Sequence, residues 1–119
     1  MPVKPSEAPT VKAKRSPLIL LVGLSAPFVR RCHDAAAKVQ ATVASVEAGA
    51  ESTFAMQSLP IAVVMHENAV PGSPLGTIAR ELGIELIPLA DEDLPDAELA
   101  ALIERALDAA RQRWRMSRP

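Results

Sequence analysis

Residues Pro17–Ser25 read PLILLVGLS, and this stretch decides the fold. Leu18 to Val22 are apolar without interruption, Gly23 ends the run, and Ser25-Ala26-Pro27 follows at once. A short run with no polar alternation suits a strand buried on both faces, which is the condition of a central strand in a parallel sheet. Ile61–Met65, IAVVM, is a second run of the same kind. Between and after these runs the apolar spacing changes to a helical period. Phe28, Cys32, Ala35, Ala36 and Val39 form one stripe, opposite Arg30, Arg31, Asp34 and Lys38. Ser25 is placed to cap this helix, with Pro27 in its first turn, where a missing N–H costs nothing.

Gln40–Ala48 carries Thr42, Val43 and Val46 and ends in a turn at Gly49, so it reads as a second, more polar strand at a sheet edge. Ala50–Leu59 reads as a short helix with Phe54 and Leu59 turned inward and Glu51 in its first turn, stopped by Pro60. After the strand Ile61–Met65, His66–Gly72 is a loop. Ser73-Pro74 then starts a helix whose stripe is Leu75, Ile78, Ala79 and Leu82, with Gly83 as its left-handed end. Ile84–Leu89 is a fourth strand, and Pro88 within it points to an edge or a bulge. Asp93 and Asp96 resemble a capping box for the last helix. Its stripe is Leu99, Leu102, Ile103, Ala106, Leu107, Ala110 and Trp114.

The order is therefore βαβαβαβα. Right-handed crossovers leave few topologies, and strand order 2-1-3-4 puts the two apolar strands in the middle. The expected fold class is α/β, a flavodoxin-like three-layer α/β/α arrangement over a four-stranded parallel sheet. One domain spans residues 17–115, with a Pro-rich basic arm at 1–16, expected to be disordered, and a basic tail at 116–119.

Composition narrows the function. Apolar residues are 49% of the chain and aromatics only 3%, so the core is aliphatic and stacking platforms for single-stranded nucleic acid are missing. The net charge of −1 conceals a segregation: the arm and the tail are basic, while residues 16–110 hold far more Asp and Glu than Lys and Arg. An acidic body makes nucleic acid an unlikely partner. Cys32 is the only cysteine, which excludes a disulfide framework or a thiolate zinc site and suits a reducing cytoplasm. Lys12–Arg15 before Leu18–Leu24 has the order of a signal peptide. The apolar run is short for one, however, and Arg30-Arg31 follow closely, so the strand reading is preferred. No apolar run reaches the length of a membrane span.

Leu18–Arg31, LILLVGLSAPFVRR, and Ala79–Leu99, ARELGIELIPLADEDLPDAEL, carry a resemblance. From Leu18 to Leu107 the chain resembles the receiver domain of bacterial response regulators. The resemblance implies the fold above, and its departures bear on function. A receiver holds magnesium with acidic residues after its first strand; here those places are Gly23 and Leu24. The phosphoacceptor Asp ends the third strand; here IAVVM runs into His66. The lysine that pairs with the phosphoryl group falls at Leu89, after Pro88. The chain is also one βα unit short. No catalytic, cofactor or metal residue is carried over. The implied role is a non-catalytic, phosphorylation-independent interaction module, a pseudo-receiver in bacterial signalling or cell organisation.

The working surface is expected at the last helix, where Arg111, Arg113 and Arg115 surround Trp114. Arg and Trp are common interface anchors. Protein partners are expected there, a second copy of the chain among them. Alternatively, Trp114 folds over the bottom of the core. A second candidate is the crevice beyond the C-terminal ends of strands one and three, lined by Ser25, His66, Glu67 and Asn68, with Ser73 at a nearby helix start. The plainer reading of His66–Asn68 is a solvated turn, and of Asp91-Glu92-Asp93 a solvated charge run. The alternative function is a small-ligand or phosphoryl carrier similar to carbohydrate phosphotransferase B subunits. Their phosphorylated Cys follows strand one, where this chain has Gly23 and Leu24. Cys32 lies a helical turn or more further on, on the apolar stripe, where a core role is preferred.

Overall fold

The computed structural model describes residues 17–117, with side chains through Gln112. The elements are β1 (Leu18–Val22), α1 (Ala26–Ala37), β2 (Thr42–Val46), α2 (Glu51–Ser58), β3 (Ala62–His66), α3 (Leu75–Leu82), β4 (Glu85–Leu89) and α4 (Asp96–Ser117). All strand pairs are parallel and the order is β2-β1-β3-β4. The protein has a flavodoxin-like three-layer α/β/α fold.

The two apolar strands are central because both of their faces are covered. Ile19 and Leu21 of β1, with Ala62 and Val64 of β3, meet Phe28, Cys32 and Ala36 of α1 and Leu99, Ile103, Ala106 and Leu107 of α4. Leu20, Val22, Val63 and Met65 point the other way, to Ala55 of α2 and Leu75 and Ala79 of α3. Strand alternation therefore feeds two separate apolar layers. The register, Ile19 beside Val43 and Ala62, aligns the layers across the sheet.

The helix ends follow local chemistry. The Ser25 Oγ accepts from the Phe28 N–H at the start of α1. The Ser73 Oγ accepts from the Leu75 N–H at the start of α3. Gly83 ends α3 at φ +73°, a conformation glycine adopts freely. Leu59 ends α2 at φ +50°, where a side chain costs about 1 kcal/mol.

Three local expectations are corrected. Leu59 is 61% exposed, because the left-handed turn swings it away from the sheet, and Glu51 and Ala55 are the buried residues of α2. Val39 lies beyond the end of α1 and is exposed. The helix α4 begins at Asp96, and the Asp93 N–H donates to the Asp91 carboxylate, so Asp93 belongs to the preceding loop.

Both edges are blunted differently. β2 carries the polar Thr42 and Ser45, both exposed. In β4 the Glu85 N–H donates to the Ile61 carbonyl and the Leu89 carbonyl accepts from the Glu67 N–H, so the odd-numbered residues pair with β3. Pro88 therefore turns its nitrogen outward, on the side where a further strand would add, and offers no N–H there.

Candidate functional site

The C-terminal ends of β1, β3 and β4 lie at the same end of the sheet, where Val22, His66 and Leu89 end their strands. Gly23 turns the chain at φ +66° with its N–H on the Val46 carbonyl. Ser25 then stands at the N-terminus of α1, whose exposed amides favour an anion.

That anion is the chain's own Glu92. One carboxylate oxygen, Oε1, accepts from the Ser25 hydroxyl at 2.5 Å, and the other, Oε2, accepts from the Ser25 N–H at 3.2 Å. The same Oε2 lies 3.1 Å from His66 Nε2. The Glu92 side chain retains 25% of its exposure and that of His66 41%, so the bridge is partly shielded. The Ser25 hydroxyl bond holds the Glu92 carboxyl below its ordinary value. The Ser25 N–H and His66 add to this, and burial opposes it.

Arg31, one turn into α1, fastens the same loop from below. Its guanidinium donates to the Leu94 carbonyl at 2.5 Å and to the Asp96 carboxylate at 3.0 Å, with a long contact of 3.5 Å to the Glu92 carbonyl. The β4–α4 loop is thus tied to the head of α1 at two points and to the end of β3 at one.

Two of the crevice residues read from the sequence, Ser25 and His66, are brought together, through Glu92 rather than by direct contact. Glu67 and Asn68 are exposed on the turn closed by the Ala69 N–H and the His66 carbonyl. Ser73 sits apart, on the α2–α3 side. It is buried, and its hydroxyl donates to Glu51 Oε2 at 2.8 Å. Glu51 Oε1 accepts from the Gly49 N–H at 2.6 Å. Burial raises the Glu51 carboxyl, but its hydrogen bonds to its own N–H, to Ser73 and to Gly49 outweigh that and lower it. This pair joins the starts of α2 and α3.

Arg111 forms an ion pair with Asp108 on its own helix. Arg113, Trp114 and Arg115 lie in the last turns of α4, and their side chains are outside the described residues, as are the arm 1–16 and residues 118–119.

Sequence reasoning passed over Glu92 and Arg31, taking the first as part of a solvated run and the second as a solvent-facing helix residue. The signal was available in the strand order. With order 2-1-3-4, the loop after β4 emerges beside the end of β3, and β3 lies next to β1 and the capping Ser25.

No family model matches this chain, and no curated protein or solved structure is significantly similar to it.

Proposed function

We propose that this protein is a pseudo-receiver: a receiver-like module that works by binding other proteins and does not depend on phosphorylation. The observation that carries this reading is the Glu92 bridge. The crevice where an open α/β fold of this order takes ligands is spanned by an internal carboxylate on Ser25 and His66. The positions that the receiver resemblance assigns to chemistry support it. Gly23 has no side chain and holds a left-handed backbone, and Leu89 is buried in the α1–α4 layer. The Glu92 carboxylate at the head of α1 has both oxygens engaged.

The carrier reading gains nothing from the geometry. Cys32 is fully buried on the inner face of α1, and burial pushes its thiol up to about 11. A thiol so placed is a poor nucleophile at neutral pH.

The test is intact mass after incubation with magnesium and a small-molecule phosphoryl donor such as acetyl phosphate. An unchanged mass is expected. A stable gain of one phosphoryl group, lost in a His66→Ala variant, would overturn the reading and revive a phosphoryl carrier.

A further inference from the structure

The two free edges of the sheet differ in what their main chain offers. The Thr42 N–H donates to the Pro17 carbonyl and the Val46 carbonyl accepts from the Gly23 N–H, so the even-numbered residues of β2 pair with β1. Val43 and Ser45 therefore direct their N–H and C=O groups outward, and β2 has no further neighbour among the described strands. β4 has Pro88 on its outer side, whereas β2, TVASV, has neither a proline nor a charged side chain. Thr42 and Ser45 discourage an apolar strand from adding but leave those main-chain groups free. Over this edge, on the α1 side, lies a cavity of about 410 Å³ lined by Leu24, Ala26, Val29, Arg30, His33 and Ser45. Among the described residues, Arg30 and His33 take part in no ion pair or side-chain hydrogen bond, and no carboxylate lines this cavity. Asp34 lines the neighbouring groove with Arg31 and Lys38, and Glu47 stands beyond the end of β2. An unpaired guanidinium thus overlooks a free strand edge on a body that is otherwise acidic.

We infer that the free edge of β2 takes an extended acidic segment of a partner protein as a fifth strand, with its carboxylates at Arg30 and His33. An added strand satisfies the outward N–H and C=O groups of Val43 and Ser45. Its side chains alternate across the sheet. Those on the α1 side come beside Ser45, which shares that side with the buried Val43, and meet Arg30 and His33. Those on the other side come beside Ala44 and Val46, which are half-buried and apolar. The matching segment therefore alternates acidic and apolar residues. Arg30 can hold a carboxylate through two parallel N–H bonds, which fixes the register of the added strand. The chain's own arm, residues 1–16, has the wrong charge for this place, with Lys4, Lys12, Lys14 and Arg15 against Glu7. A second copy added through the same edge would set two positive linings together with no carboxylate between them.

This rests on the interaction-module reading and names its partner class, and the two fail separately: phosphoryl chemistry would be read at Ser25, Glu92 and His66, strand addition at Val43 and Ser45. The experiment titrates the ¹⁵N-labelled full chain with the capped peptide Val-Glu-Val-Glu-Val-Glu, and with its counterpart Val-Lys-Val-Lys-Val-Lys, each up to about 1 mM. Saturable shifts of the Val43 and Ser45 amides are expected with the glutamate peptide alone, and they weaken as salt rises. Arg30→Glu, at an exposed helix site, is expected to melt with wild type and to weaken binding about tenfold or more. Ser45→Pro removes an outward N–H without touching the ladder to β1 and is expected to abolish binding. Arg30→Glu carries the test should Ser45→Pro melt lower. A glutamate peptide that gives no saturable shift at Val43 or Ser45 overturns the inference. So does a lysine peptide that binds as well, or binding that Arg30→Glu leaves intact. Shifts of Val43 and Ser45 that follow protein concentration without peptide would give the edge to a second copy and overturn it too.

Discussion

Glu92 shows how a single side chain can change the character of a fold's customary binding place. Its carboxylate receives two hydrogen bonds from Ser25 and lies against His66, and these favour its ionised form. Because its folded value lies below the ordinary carboxylate value, its contribution to stability is complete above that ordinary value. It is lost as pH falls through the lowered folded value. Glu51 follows the same sign. We therefore expect denaturant midpoints to be flat near neutral pH and to fall in acid, and Glu92→Gln to flatten part of that fall. An equally steep acid limb in Glu92→Gln would remove Glu92 from the account. Glu51→Ala leaves the buried Ser73 hydroxyl and the Gly49 N–H without their acceptor. It should cost about 1 to 3 kcal/mol in urea unfolding. A loss below about 0.5 kcal/mol would mean the groups re-pair with water or backbone.

At the scale of elements, α4 and β4 carry the most consequence. Ile103 is 1% exposed, within the apolar layer shared by α1 and α4. Ile103→Ala should destabilise by about 2 to 5 kcal/mol, measured by chemical denaturation. Pro88 blunts the free edge of β4, so Pro88→Val restores an outward N–H and should leave stability nearly unchanged while promoting aggregation through that edge. Light scattering on heating would check it, and identical scattering for both proteins would count against an edge-guarding role. The same elements show what the sequence made legible. The uninterrupted runs Leu18–Val22 and Ile61–Met65 marked the two central strands, the more polar Thr42–Val46 and the Pro88-bearing fourth strand fell to the edges, and the crossover rule then left order 2-1-3-4. Leu59 was misread because periodicity assumes right-handed backbone, and one left-handed residue reverses the direction of a side chain. Ser73 was assigned to the crevice because a helix start reads the same on either side of the sheet. Glu92 was missed because a loop carboxylate is defined by its neighbours across the fold, which lie 67 and 26 residues away in sequence.

For the whole molecule, the frame and the chemistry separate. The sheet order, the two apolar layers and the capped helices are those of an α/β fold whose ligands ordinarily meet the strand ends. Here the strand ends are tied together by Ser25, Glu92 and His66, while Arg31 holds the loop that delivers Glu92. No helix among the described residues is long and apolar enough to cross a membrane.

The most direct test of a closed, phosphorylation-independent crevice is a two-dimensional NMR titration of the ¹⁵N-labelled chain with magnesium and then with beryllofluoride, a phosphoryl mimic. The account predicts no saturable shifts at Gly23, Ser25, His66 or Glu92. Saturable shifts at those amides, with Glu92 released from Ser25, would contradict it.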